Sequence, residues 1–134
     1  MKKAFSLLEL IFAIIIIGII ASYAIPKYKD TRDSALSSTI NRDYITAKTS
    51  IQNYSLINGT VTKISDAVNV SNKNWTIEDK KITFKENSKD CLVLEIKIKN
   101  NELMLEVIID NSIGDICNKL VTDFGIKSED IVLF

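Results

Sequence analysis

Twenty-one residues from Phe5 to Ile25 are apolar or small with one exception, the carboxylate of Glu9. At about 1.5 Å rise per residue, such a run makes roughly 30 Å of helix, the thickness of the hydrocarbon core of a bilayer. The segment is long enough to span a membrane. A lone carboxylate within it costs about 2.5 to 3.5 kcal/mol on insertion scales, so Glu9 calls for a neutralising partner or a bound proton.

The hexapeptide Phe5-Ser6-Leu7-Leu8-Glu9-Leu10 lies behind a short basic leader, Met1-Lys2-Lys3-Ala4. This arrangement resembles the amino terminus of type IV pilins and the related pseudopilins. The resemblance implies a prepilin that is cut by a membrane prepilin peptidase between Ala4 and Phe5 and N-methylated on the new terminus. Counted from that cut, Glu9 is fifth, Gly18 fourteenth and Pro26 twenty-second, where the family carries Glu, Gly and Pro. The resemblance therefore assigns Ala4 and Phe5 to processing and Glu9, Gly18 and Pro26 to assembly. One departure is Ala4, since the family usually has Gly before the cut, and a small residue still meets that requirement. The match extends from Lys2 to about Tyr28, a fifth of the chain.

Two other readings fit part of the same stretch. A secretory signal would use Lys2 and Lys3 as its basic region, Leu10 to Ile20 as its apolar core and Ser22-Tyr23-Ala24 as a cleavage site. A plain single-pass anchor would be oriented weakly by its flanking lysines. Neither explains Glu9, and a signal peptide does not explain why Pro26 and Lys27 lead straight into a helical pattern.

That pattern is Leu36, Ile40, Tyr44, Ala47, Ile51 and Tyr54, spaced by three or four residues along one face. It predicts a helix continuing to about Ile57, stopped by Asn58-Gly59. Pro26 stands at the join between an apolar half and an amphipathic half, where it removes one helical hydrogen bond and should bend or loosen the rod. The expected organisation is a leader over 1–4, a spine helix over 5–58 with 5–25 as its membrane and polymerisation segment, and a globular head over 59–134.

Within the head, 59–73 is polar and reads as a loop with a helical turn near Ile64–Val68. Trp75 and Ile77, then Ile82 and Phe84, alternate about Glu78-Asp79-Lys80 as a short hairpin. Leu92, Leu94, Ile96 and Ile98 line one strand and Leu103, Leu105, Val107 and Ile109 the next, with Asn100-Asn101 suited to a two-residue turn of positive φ. A sheet of about four antiparallel strands with one apolar face needs a cover, and the stripe from Leu36 to Tyr54 supplies it. Ile113, Ile116, Cys117, Leu120, Val121 and Phe124 predict a short final helix, capped by Ser112 or Asp110. The fold class is α+β. The tail Ile131 to Phe134 fits either a fifth edge strand or a contact for a neighbouring subunit.

Cys91 and Cys117 are the two cysteines. Thiols outside the cytoplasm normally oxidise, and a disulfide closing this loop would contribute about 3 kcal/mol on the chain-entropy model. We expect that pairing, although Cys117 on an apolar face also fits a buried free thiol. Two thiols without histidine make an incomplete metal site. The acids Asp110, Asp115, Asp123, Glu129 and Asp130 lack the spacing of a calcium loop and read as a solvated face.

Composition turns the reading away from catalysis. Histidine is absent, which removes the commonest general base and transition-metal ligand. Four glycines form no phosphate-cradling loop. The seventeen basic and seventeen acidic residues cancel, so charge offers no case for direct nucleic-acid binding. The expectation is a structural, non-enzymatic subunit without cofactor, held in the bacterial inner membrane and then assembled with itself and other pilin-like subunits. Its place is a type IV pilus or a type II secretion pseudopilus, in the periplasm or at the cell surface, and its processing partner is the prepilin peptidase and methyltransferase. The rival expectation is a monomeric anchored or secreted binding domain, in which Glu9 would be incidental.

Overall fold

The computed structural model describes residues 4–133. Met1 to Lys3 of the expected leader and Phe134 of the tail lie outside the described residues. Helix α1 runs Leu7–Asn58 with Pro26 inside it, so the residues on both sides of the proline belong to one element. The chain divides into two compact units, with the boundary between Asp33 and Ser34. α1 contributes to both. It stops where the sequence predicts: Gly59 takes φ +77° and donates its N–H to Ser55 O at 2.8 Å, a conformation that costs a glycine little.

The second unit holds the remaining elements. Helix α2 (Ile64–Ala67) is a single turn, and strands β1 (Trp75–Ile77), β2 (Lys81–Glu86), β3 (Lys89–Lys99) and β4 (Glu102–Ile109) follow. Helix α3 (Asp115–Thr122) leads to β5 (Glu129–Val132). The sheet is antiparallel throughout in the order β1-β2-β3-β4-β5. It has five strands where the alternation predicts about four. The fifth takes in Ile131 and Val132 of the tail as an edge strand, with Leu105 opposite Ile131 and Met104 opposite Val132. A four-residue strand with two leading acids carries too little alternation to be recognised from its residues alone.

Two turns fix the register. Asn100 and Asn101 take φ +52° and +64°, and Asn87 and Ser88 take φ +53° and +63°. Both are two-residue connections with paired positive φ, whose twist suits the flanking strands. The first of these was legible from its asparagine pair.

The core forms where the helical stripe meets the inner face of the sheet. Ile40, Tyr44, Ala47 and Ile51 of α1 are buried in one cluster with Ile82, Phe84, Leu92, Leu94, Leu105 and Val107. Trp75 joins them, its ring 6.1 Å from that of Phe84 and its indole N–H donated to Asp43 Oδ2 at 3.1 Å. Ser37 and Ser55 share the buried stripe. Their hydroxyls are satisfied, Ser37 by Ser34 O and Ser55 by Leu133 O, the latter at 2.8 Å, as burial of a hydroxyl requires.

The pairing of β2 with β3 slips by one residue at Phe84/Lys85: Phe84 faces Leu92 and Lys85 faces Asp90, leaving Cys91 as the extra residue. This β-bulge breaks the inward and outward alternation, so Cys91 and Leu92 are both buried. Cys91 is joined to Cys117 of α3 in a disulfide with Cα atoms 5.9 Å apart.

The cap expected for the last helix is corrected. Asp110 and Ser112 bond each other, with Asp110 Oδ1 accepting the N–H and the hydroxyl of Ser112. The N-cap position of α3 is Gly114, which has no side chain to offer. The helix start is instead held from β2: Glu86 Oε2 accepts the N–H of Ile116 and Glu86 Oε1 that of Cys117, both at 3.0 Å. A carboxylate there meets the free N–H groups and the positive end of the helix dipole together.

Candidate functional site

In the first unit the chain enters α1 through Ala4, Phe5 and Ser6, which precede the helix and are exposed. Ser6 occupies the N-cap. Its carbonyl accepts the N–H of Leu10 at 3.1 Å, and its hydroxyl accepts the N–H of Glu9 at 3.1 Å. Ser6 to Glu9 thus has the spacing of a capping box, with Phe5 just outside the helix and Leu10 at the position that pairs with it in a hydrophobic staple. One residue, Phe5, separates the Ala4–Phe5 bond from that cap. The capping role of Ser6 was not read from the sequence, although the Ser-x-x-Glu spacing carries the signal.

A complete capping box would also turn the Glu9 carboxylate back onto Ser6 N–H. That bond is not made. Among the described residues the Glu9 side chain has no partner, and it stands exposed among Leu7, Leu8, Leu10, Ile11 and Phe12, which are each about half or more exposed. The exposed apolar series continues through Ile14 to Ile17, Ile19, Ile20, Tyr23, Ile25 and Tyr28. By length and composition α1 contains a stretch able to cross a membrane. A large exposed apolar surface of this kind, broken in its first turns by Glu9 alone, marks a membrane or protein contact.

Gly18 and Pro26 lie farther along the same helix. A Cβ placed on Gly18 would meet nothing within 4 Å. Glycine here costs helix stability, by about 0.5 to 1 kcal/mol against alanine, and the single chain gains nothing in return. Pro26 lacks the N–H that would bond Ser22 O, and the Ser22 hydroxyl donates to Ile19 O at 2.7 Å.

The other residues singled out by the sequence lie in the second unit. Cys91 and Cys117 come together with Glu86, a partner without a local signal: a carboxylate from β2 reaches α3 across 30 residues. Donor atoms of these three residues lie within 4.8 Å of one another, but the two sulfurs are bonded to each other and the carboxylate oxygens take helix N–H groups, so the arrangement is a clasp. The scattered acids are held by protein groups in part. Glu129 pairs with Lys48 at 3.7 Å and Asp130 with Lys99 at 2.9 Å, while the bonds from Ser112 hold Asp110 below the usual carboxylate range.

On the outer face of the sheet, Glu106 accepts Lys97 and Lys99, each at 2.8 Å. Those two hydrogen bonds hold the Glu106 carboxyl below its ordinary pKa and raise both lysines above theirs. Inside, burial lifts the Tyr44 phenol above its ordinary value, reinforced by the charge of Glu129.

Residues 1–25 match the family model described as the prokaryotic N-terminal methylation motif. No curated protein and no solved structure gives a match. The α+β architecture, with a long N-terminal helix, an antiparallel sheet and a short C-terminal helix, is that of pilins. The chain carries the prepilin-type N-terminal methylation motif at the head of an exposed apolar helix, as the type IV pilin and pseudopilin family does.

Proposed function

We propose that the chain is a structural subunit of a type IV pilus or a type II secretion-like pseudopilus, stored in the inner membrane and polymerised through α1 after removal of residues 1–4. The observation that carries this reading is Glu9: one carboxylate on an apolar, exposed helix with no partner among the described residues. Cleavage between Ala4 and Phe5 creates the missing counterpart, an α-amine at the helix start. On the neighbouring subunit, or on the same chain, that amine compensates Glu9 and sets the axial stagger that apolar packing alone leaves open. Gly18 fits the same picture, since a small residue lets helix backbones approach closely. Contacts of this head-to-tail kind do not close and therefore build a fibre.

Processing by prepilin peptidase and methylation of Phe5 follow from the motif. The head, residues 59–134 together with the amphipathic half of the spine, presents the surface of the fibre in the periplasm or outside the cell. The role is structural and non-catalytic.

The test is Glu9→Leu, with Glu9→Gln beside it, followed by electron microscopy of sheared surface and periplasmic material. The expected result is a processed, membrane-held subunit that assembles poorly as Leu and partly as Gln. Filaments at normal yield from Glu9→Leu would remove the pairing role and favour a monomeric anchored domain.

A further inference from the structure

Ser6 decides where α1 begins. In a helix longer by one residue, the N–H of Glu9 would bond the carbonyl of Phe5, four residues before it. That donor is already taken, because the Ser6 hydroxyl accepts it at 3.1 Å. The Ser6 carbonyl in turn accepts the N–H of Leu10 at 3.1 Å, and the helix starts at Leu7. Extending α1 backward by one residue therefore requires breaking the cap. Ala4 and Phe5 are left outside the helix and exposed.

Hydrolysis of the Ala4–Phe5 bond puts the hydroxyl of a water on the carbonyl carbon of Ala4 and its hydrogen on the nitrogen of Phe5. Residues 1–4 leave as a free acid and an α-amine remains at the head of the chain. The attack needs an open carbonyl. Within a helix the Ala4 carbonyl would accept the N–H of Leu8 and lie inside a turn of side chains, whereas before the cap it is free of both. The leader supplies no stop of its own: Met1-Lys2-Lys3-Ala4 contains no proline, glycine or β-branched residue, and methionine, lysine and alanine all favour helix. Without a cap at Ser6, helix can run backward through the bond to be cut.

We propose that Ser6 is a positioning residue for processing: its cap ends α1 short of the Ala4–Phe5 bond and keeps that bond in the non-helical form a peptidase takes up. The proposal rests on the reading of Ala4–Phe5 as the processing bond. What matters at position 6 is then the ability to cap a helix, and neither the hydroxyl as such nor small size. These three requirements separate by residue type. Asparagine caps as well as serine, glycine and threonine cap nearly as well, and alanine caps poorly although it is small.

The test follows cleavage of the full chain in detergent micelles by a prepilin peptidase, for the natural sequence and for Ser6→Asn, Ser6→Gly and Ser6→Ala. Cα chemical shifts of Ala4 and Phe5 are recorded on each uncut chain without peptidase. The expected result is cleavage of the Asn and Gly variants within about twofold of the natural rate and of the Ala variant about fivefold slower, the factor a typical cap is worth. Helical shifts at Ala4 and Phe5 should appear in the Ala variant alone. Cleavage of Ser6→Ala at the natural rate overturns the proposal. Slow cleavage of the Asn and Gly variants also overturns it, by showing that the peptidase reads the hydroxyl itself, and so does a slow Ala variant whose Ala4 and Phe5 stay non-helical. Failure of the natural chain to be cut between Ala4 and Phe5 is a different outcome: it removes the processing reading, and this proposal with it.

Discussion

Glu86 Oε1 accepts the backbone N–H of Cys117 at 3.0 Å, so the residue that closes the disulfide to Cys91 is also held by a carboxylate from the strand beside the bulge. Glu86 and the disulfide act on the same turn of α3. The clasp has a spatial requirement at Gly114, where an added Cβ would lie 2.6 Å from both Glu86 oxygens. The backbone at Gly114 is extended and accessible to any residue, so the demand for glycine comes from the carboxylate alone.

Glu86→Ala is expected to destabilise the protein by about 1 to 3 kcal/mol, the cost of leaving charge-assisted donors at a helix start without their acceptor. Urea denaturation read by tryptophan fluorescence checks this, since Trp75 is buried in the core. Gly114→Ala should cost a comparable amount through the displaced carboxylate, and combining it with Glu86→Ala should cost less than the sum of the two.

Cys91 and Cys117 should resist alkylation in unreduced protein and label only after reduction, with peptide mapping recovering the crosslinked pair. Replacing both by serine should lower stability by about 3 kcal/mol for a loop of this length. Full labelling of both without reductant would show free thiols.

Ser55→Ala should cost about 1 kcal/mol, because it removes a buried hydrogen bond to Leu133 O and leaves that carbonyl unsatisfied. Hydrogen exchange should quicken selectively at Leu133 and along β5, since this bond ties the residue just after the strand to α1. A uniform change across the head would contradict the local role.

The acid and alkaline limits of stability have opposite signs. Glu106 is lowered from its ordinary 4.5 by Lys97 and Lys99, so its contribution is present above 4.5 and fades as pH falls through the lower folded value. Lys97 and Lys99 are raised from 10.5, chiefly by bonds to Glu106, and Tyr44 is raised from 10.0, chiefly by burial. Their contributions hold below those values and are lost as pH rises through the raised ones. Glu106→Gln should lower stability near neutrality and flatten both the acid and the alkaline limb, measured by urea midpoints across pH. An unchanged acid limb would show that this exposed ladder contributes nothing.

The residues most legible in the sequence are those whose partners are set by local period. Ile40, Tyr44, Ala47 and Ile51 announce the buried stripe by spacing, Leu92 to Ile96 and Leu103 to Val107 announce a hairpin by alternation, and Asn100-Asn101 announces the turn between them. Glu86 was not legible, because its partners lie on an element brought close only by the folded sheet. The bulge at Cys91 was also hidden, since a one-residue slip leaves no mark on composition. Ser37 and Ser55 look like breaks in an apolar stripe until their acceptors are known. Of the candidate site, Glu9 was found as a chemical anomaly, whereas the cap at Ser6, three residues earlier, was missed beside the larger signal of the apolar run.

The account turns on where the mature chain begins, because the amine that compensates Glu9 exists only after cleavage. Intact-mass measurement of the protein extracted from membranes and from sheared filaments decides this. The predicted species lacks Met1 to Ala4 and carries one methyl group on the nitrogen of Phe5, in both fractions. A chain retaining Met1, or one beginning at Ile25, would contradict the account: the first would leave a plain anchor, and the second a cleaved secretory signal.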